Sequence, residues 1–256
     1  GFGRLLDAGW LVFPRNYQLV FVVSTAVSIL NVVLFGRIRM TRDYAGSPAP
    51  GAPLYQRFAQ HLRPILQTPP FLRFLAFAVM VQLGMMLPAA LYSIFWVRHL
   101  AASDTIIGLR TTVSQIAVIA GCLGFGRYVA RRGYGRVLLM SAVGMSLYPL
   151  VTALSPNAWW LLPAAAVWGV ASGALNVAFF EAIIVTAPPA KIPSFTAVYF
   201  VLTNVANVIG PLLGAALAES LNIQAAFFIA AALPLGAIFL WQRLGESFHP
   251  EATPRT

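Results

Sequence analysis

Uncharged polar side chains recur near the middle of long apolar stretches in this 256-residue sequence. In a hydrocarbon surrounding, a polar group without a partner is costly, so it must face protein or water. Amide and hydroxyl groups in such positions can hydrogen-bond a polar molecule, which makes them candidates for lining a cavity. The alternative is that each amide holds neighbouring helices together, contributing about 0.6–2 kcal/mol per pair. The candidates are Gln82, Gln115, Ser172, Asn176, Asn204 and Asn207.

Small and polar residues also share helical faces. The spacing i, i+3, i+4, i+7 unites Gly108, Thr111, Thr112 and Gln115, and it recurs in Gly169, Ser172, Gly173 and Asn176. A third stripe contains Thr203, Asn204, Asn207, Gly210 and Gly214. Glycines of this kind are typical of close helix contacts in membranes. We therefore assign Gly169, Gly173, Gly210, Pro211 and Gly214 to helix packing rather than to ligand contact.

Few ionisable residues lie within the apolar stretches. Glu181 follows Trp159 by 22 residues, about 33 Å of helix, so it belongs at a membrane edge. Three interpretations of Glu181 remain open: an ion pair, a solvated acid at the headgroup level, or a proton carrier. Arg110 is expected either to extend towards the membrane surface or to offer a positive site to an anionic solute. Trp96, Trp159 and Trp160 fit the aromatic belt at an interface.

No catalytic or metal-binding pattern is present in the sequence. Cys122 is the single cysteine, and His61, His99 and His249 are far apart in the chain. The sequence contains no H-E-x-x-H motif and no Ser-His constellation within the apolar stretches. We predict that the protein is not an enzyme and that it needs neither a metal nor another cofactor.

The composition indicates an all-α integral membrane protein. Hydrophobic residues make up 59% of the chain and charged residues 9%, against about 25% charged in ordinary globular proteins. A membrane-crossing helix needs roughly 20 mostly apolar residues. Seven stretches qualify, which predicts seven transmembrane helices. They are residues 17–36, 74–97, 105–126, 137–154, 159–183, 194–217 and 224–241. The chain has a net charge of +10, and we expect its partner to be the lipid bilayer rather than nucleic acid.

The basic residues predict the orientation of these spans. Alternate loops carry 13 and 4 Lys and Arg residues, and the richer side should be cytoplasmic. The C-terminus is then cytoplasmic and residues 1–16 form an external segment. Residues 37–73 contain several Pro and Gly and then an amphipathic pattern, which indicates a cytoplasmic linker with a surface helix or a plain polar loop. Residues 74–243 hold six spans, and residues 244–256 form a cytoplasmic tail.

An internal repeat extends this division. The segments 16–21 and 222–227 are similar, each opens a span, and they are 206 residues apart. A repeat unit of this length holding six spans makes the span 17–36 the last helix of an earlier unit. We expect most of that unit to be absent from this sequence. It would be either another part of the same chain or a separate chain.

Two motifs accompany this architecture. Residues 126–136 are similar to the basic loop signature G-x-x-x-D-R-x-G-x-R, with Ala130 in place of the acid, and residues 207–214 resemble a G-P-x-x-G helix motif. With the linker and the topology, the sequence resembles the C-terminal portion of the major facilitator superfamily, helices six to twelve of a twelve-helix bundle. The resemblance implies a gate in which Glu181 meets the loop arginines Arg127, Arg131 and Arg132.

The resemblance also implies a function. A secondary transporter of this superfamily, of permease or efflux type, would move a small-molecule solute across the cell (inner or plasma) membrane by alternating access. The alternative is a membrane assembly or lipid-handling protein that uses the same fold without transport. No carboxylate lies at mid-depth in these spans, so an acid for proton coupling would have to lie in the missing half. Otherwise facilitated diffusion or sodium coupling would apply.

Overall fold

A computed structural model describes residues 15–36, 65 and 67–245. Within these ranges the chain forms eight α-helices and two short 3-10 helices, and no β-strand. The helices are α1 (Arg15–Gly36), α2 (Pro69–Met86), α3 (Ala89–Arg98), α4 (Asp104–Arg132), α5 (Tyr134–Leu154), α6 (Leu161–Thr186), α7 (Ile192–Ser220) and α8 (Ile223–Gly245). The all-α fold class is therefore confirmed.

Six helical segments among the described residues are long and apolar enough to cross a membrane. They are Pro69–Arg98, Asp104–Arg132, Tyr134–Leu154, Ala158–Thr186, Ile192–Ser220 and Ile223–Arg243, and they match the second to seventh predicted spans. The first predicted span is helical in α1, whose apolar stretch Phe21–Leu34 is shorter. The predicted surface helix in the linker, and nearly all of the two predicted terminal segments, lie outside the described residues.

Local chemistry sets both ends of α4. The Ser103 hydroxyl accepts a hydrogen bond from the Ile106 amide at 3.4 Å, so Ser103 is the N-cap. Asp104 lies in the first turn, where its charge complements the helix dipole. Gly133 ends α4 with a φ of +81°, a conformation that a side chain would strain, and α5 begins at the next residue.

The span Pro69–Arg98, the first of the six long apolar segments, is broken between α2 and α3. Pro88 has no amide hydrogen to donate to the preceding turn, and helix α3 starts again with the Tyr92 amide bonded to the Pro88 carbonyl at 3.0 Å. Close contacts with two other helices, α7 and α8, surround the break. A Cβ added to Gly84 would lie 2.7 Å from Cδ of Pro234, and one added to Gly214 would lie 2.8 Å from the Leu87 carbonyl carbon. Close packing therefore holds the break in place.

The six spans form two three-helix units. The first unit is α2/α3, α4 and α5, and the second is α6, α7 and α8. The first helix of each unit packs against the second and third helices of the other, so α2 contacts α7 and α8 while α6 contacts α4 and α5. The third helices, α5 and α8, also pack together. Because each unit contains three successive crossings, the second unit is inverted relative to the first.

Aromatic residues fill the core at two levels. One cluster, near the start of α2, contains Phe71, Phe74, Phe179, Phe195 and Tyr199. The other surrounds α3 and contains Tyr92, Phe95, Trp96, Tyr148 and Phe227. Helices α4 and α7 contribute least to the core, and each leaves a long face uncovered by the described chain. These two helices carry three of the six predicted cavity amides and hydroxyls, together with Thr111 and Thr112.

Candidate functional site

Three of the predicted cavity residues form a chain of amides between α2 and α7. Nε2 of Gln82 donates to Oδ1 of Asn207 at 2.6 Å, and Nδ2 of Asn207 donates to Oδ1 of Asn204 at 3.4 Å. The Asn204 amide donates in turn to the Phe200 carbonyl oxygen at 2.7 Å. Gln82 and Asn207 are half-buried, whereas Asn204 is exposed. The chain therefore leads from the contact between two helices to the uncovered face of α7.

Glycines on α7 bring that chain together. Gly210 lies one turn beyond Asn207 on the same face, and a Cβ added there would lie 2.6 Å from Cβ of Met86. Gly214, one turn further, meets Leu87, and Pro211 lies half-buried between the two glycines. Because no side chain separates the helices at these levels, the Gln82 side chain spans the remaining distance to Asn207. We refer to Gly210, Gly214, Met86 and Leu87 as the α2–α7 seam.

A second glycine seam joins α4 and α6. A Cβ added to Gly169 would lie 2.6 Å from Cβ of Ala117, and one added to Gly173 would lie 2.7 Å from the Cys122 nitrogen. The Cys122 thiol donates to the Gly173 carbonyl oxygen at 3.5 Å. The two parallel helix pairs, α2 with α7 and α4 with α6, occupy equivalent positions in the two inverted units. Both seams thus allow backbones to approach closely at mid-depth.

The remaining predicted cavity residues lie on α4 and α6. Gln115 is exposed on α4, on the same face as Thr111 and Thr112, whose hydroxyls donate to their own helix at 2.9 and 3.0 Å. Asn176 is exposed on α6, and Ser172, one turn earlier, is half-buried. Within the described part of the chain, no hydrogen bond joins these residues to the amide chain. The structure therefore places the six candidates in two groups, one per seam.

The ion pair expected at the gate is not formed. Glu181, Arg127, Arg131 and Arg132 are all exposed, and among the described residues none of them makes a salt bridge with another. An exposed pair gains little from Coulomb attraction because water screens both charges and the long side chains lose entropy on pairing. Among the described residues, no ion pair at Glu181 is present in this conformation, and the gate contact with the loop arginines stays a prediction. The solvated acid is the interpretation that agrees with its exposure.

The sequence missed a cluster around Arg110. Nη2 of Arg110 donates to the Tyr148 hydroxyl, and its guanidinium carbon lies 4.5 Å from the centre of the Trp96 ring. Trp96 is 8% exposed, so it belongs to the interior and not to the interfacial belt, whereas Trp159 and Trp160 are exposed as a belt requires. Position along the chain indicates how deep a residue lies in the membrane. It does not indicate which side of α3 packs against α4 and α5. The one sequence signal that could have indicated this cluster is the i, i+4 spacing of the aromatic residues Tyr92 and Trp96.

The described residues hold no group of three or more His, Cys, Asp or Glu side chains that could bind a metal ion. The described carboxylates, Asp104, Glu181 and Glu219, all lie towards the ends of their helices, away from the amide chain. The amide chain can therefore donate and accept hydrogen bonds, but none of the described carboxylates lies beside it to exchange a proton.

Comparison with known proteins agrees with this architecture. The family model of the Major Facilitator Superfamily matches residues 74–255, which include all six long apolar helices. The chain belongs to the Major Facilitator Superfamily, so it is a multi-pass membrane protein with the fold of that transporter family.

Two curated relatives share part of the sequence. The "Multidrug resistance protein MdtG" of Proteus mirabilis (strain HI4320) is 30% identical over 152 residues, which cover 57% of this chain and 38% of the relative. The protein of the same name from Yersinia enterocolitica serotype O:8 / biotype 1B (strain NCTC 13174 / 8081) is 29% identical over 128 residues, covering 49% of this chain and 30% of the relative. The matched part thus spans well under half of each relative.

Proposed function

We propose that this chain forms the C-terminal part of a secondary transporter that exports small, amphipathic solutes across the inner or plasma membrane by alternating access. The observation that carries the proposal is the superfamily match over residues 74–255, which covers both three-helix units. The names of the two relatives support export of several solutes rather than uptake of one nutrient. In this proposal the partners are the solute, the lipid bilayer and a second six-helix half.

The uncovered faces of α4 and α7 support a central path. The exposed Gln115 and Asn204 lie on these faces, and they would be costly in contact with hydrocarbon. Facing a second half across a water-filled path, the same amides gain water or solute as partners. The exposed side chains of α5 and α8 include Val143, Leu147 and Phe239, which suit contact with lipid.

The two glycine seams support a rocking motion. Rigid contacts at Gly173 and Gly214 tie the first helix of each unit to the second helix of the other, so the six helices can move as one body. Alternating access would then come from movement of this body against the other half. The polar residues at the seams stay at mid-depth while access changes from one side to the other.

The distribution of charged residues bears on the ion that drives transport and on the orientation of the chain in the membrane. Because the described spans hold no acid at mid-depth, proton coupling would require a carboxylate from outside the described residues. Without such an acid, facilitated diffusion or sodium coupling would apply. The excess of Arg and Lys in alternate loops supports a cytoplasmic C-terminus.

Transport by the purified full-length protein in proteoliposomes tests the proposal. We would measure movement of three radiolabelled aromatic solutes, one anionic, one neutral and one cationic, with the wild-type protein and with Asn204→Leu. The matched control is Val205→Leu, a change at the neighbouring exposed position of α7. We expect Asn204→Leu to slow transport by about 2- to 10-fold, the value of one hydrogen bond, and the control to have little effect. Absence of transport for every solute would contradict the proposal and favour a protein that does not transport.

A further inference from the structure

A cavity of about 260 Å³ lies beside the break between α2 and α3 in the span Pro69–Arg98. Its walls come from α2, α3, α4, α5 and α6, and they include Tyr92, Trp96, Arg110, Met145, Tyr148 and Trp168. Ring centres in the aromatic wall are 5.0 Å apart for Tyr92 and Tyr148, and 6.1 Å apart for Tyr148 and Trp168. The cavity is smaller than the roughly 300–1,000 Å³ typical of pockets for drug-sized molecules, so it suits a small solute.

The positive charge of Arg110 meets neutral groups in this cavity. Its side chain is half-buried and donates a hydrogen bond to the Tyr148 hydroxyl. The guanidinium carbon lies 4.5 Å from the centre of the Trp96 ring and 5.2 Å from the centre of the Tyr148 ring. Aromatic faces attract a cation, but they do not cancel its charge.

The described carboxylates are poorly placed to neutralise Arg110. Asp104 precedes it by six residues, about 9 Å along α4 and about 120° around the helix. Glu219 is exposed near the end of α7, about 140° around that helix from Gly214, which faces the break. Glu181 lies towards the C-terminal end of α6 and is exposed. No described carboxylate is therefore placed to neutralise the charge of Arg110, and an anion from outside the described chain can pair with it.

Two buried donors beside the cavity lack partners. Among the described residues, three buried side-chain atoms have no hydrogen-bond partner, and two of them are Nε of Arg110 and Nε1 of Trp96. Buried donors without acceptors are rare in proteins because each one costs free energy. Both donors belong to side chains that line the same cavity, and both atoms are covered by protein in this conformation.

We propose that this cavity is an anion-binding subsite that takes a small carboxylate with an aromatic body. The planar guanidinium of Arg110 matches a carboxylate in geometry and charge. The rings of Tyr92, Tyr148 and Trp168 provide surfaces on which an aromatic body packs. This inference rests on the proposed transport function, for which it names a substrate class.

Binding of benzoate and benzamide to the purified full-length protein tests the subsite directly. The two probes have nearly the same size, but only benzoate carries a negative charge at neutral pH. Equilibrium binding of the radiolabelled probes should show benzoate bound at least about tenfold more tightly than benzamide, because the charge-assisted hydrogen bonds are lost with the neutral probe. Equal binding of the two probes, or no binding of benzoate, would overturn the proposal.

Three variants assign the effect to Arg110. Arg110→Gln should lose the preference for benzoate, and Arg110→Lys should keep part of it, because the charge remains but the planar fork does not. The matched control is Arg98→Gln, which removes an exposed arginine from the end of α3 and should bind benzoate like the wild type. If Arg110→Gln does not fold, Arg110→Lys and the wild-type comparison of the two probes decide. Unchanged benzoate binding by Arg110→Gln would refute the assignment.

Binding and transport together distinguish the two proposals. If benzoate binds as predicted but none of the three aromatic solutes crosses the proteoliposome membrane, the subsite stands and the transport function is wrong. If solutes are transported while benzoate and benzamide bind equally, the transport function stands and the anion subsite is wrong.

Discussion

Replacing Gly214 by alanine tests the close contact between α7 and the break between α2 and α3. The alanine Cβ would lie 2.8 Å from the Leu87 carbonyl carbon and still closer to its oxygen, whereas ordinary contacts begin at 3.4 Å. The two backbones must therefore separate by at least 0.6 Å, the difference between those distances. Overpacking of this kind typically costs about 1–3 kcal/mol. Alanine also gains about 1 kcal/mol over glycine in helix propensity, which offsets part of the cost.

Gly124→Ala is the matched control for that prediction. Gly124 lies within α4, and a Cβ added there would meet nothing within 4 Å in the described chain. Both variants gain the same helix propensity, so the difference between them isolates the overpacking at Gly214, about 1–3 kcal/mol. At about 2–4 °C per kcal/mol for a chain of this size, Gly214→Ala should unfold about 2–12 °C below Gly124→Ala.

Thermal unfolding in detergent, followed by tryptophan fluorescence at one scan rate, measures this difference. Widening of the α2–α7 seam should also lengthen the 2.6 Å hydrogen bond between Gln82 and Asn207, so Gly214→Ala should transport more slowly than the control. If the two alanine variants unfold at the same temperature, the helices are not in contact at Gly214 and the described packing is incorrect.

Two further predictions concern the amide chain and Glu181. A double-mutant cycle with Gln82→Leu and Asn207→Leu, measured by unfolding in detergent, should give a coupling of about 0.6–1.7 kcal/mol, and simple additivity would contradict the hydrogen bond between them. Glu181→Gln should change the free energy of unfolding by less than about 0.5 kcal/mol, because the exposed carboxylate makes no salt bridge with a described residue. The same variant should alter the transport rate and keep solute binding, and complete loss of binding would show that Glu181 contacts the solute.

The helices of this protein could be predicted from the sequence because a membrane span depends on a local property, the length of an apolar stretch. The predicted span 105–126 became α4, Asp104–Arg132. Three of the six extra residues at its C-terminal end are arginines, so hydropathy alone stops short of them. Pro88 indicated a bend in the first of the six spans. The sequence did not show that Gly84 and Gly214 pack around that bend.

The contacts of the candidate site depend on which helices are neighbours, which the sequence does not specify. Gln82 and Asn207 are 125 residues apart, and they meet because α2 packs on α7. Tyr148 belongs to the predicted span 137–154, and its ring is buried beside Arg110, a contact that spacing within the span does not indicate. The sequence also does not show whether Glu181 pairs with the loop arginines, because a motif identifies charges of opposite sign but not whether they are close enough to pair.

The uncovered faces of α4 and α7 carry Gln115 and Asn204, and in the proposed transporter these faces line a water-filled path. Cysteines introduced one at a time at Gln115 and Asn204, in a Cys122→Ala background, should react with a charged, membrane-impermeant thiol reagent in intact proteoliposomes. Cysteines at Val143 and Phe239, which are exposed on apolar faces of α5 and α8, should stay unmodified because lipid covers them. Modification at 143 and 239 with none at 115 and 204 would contradict the account.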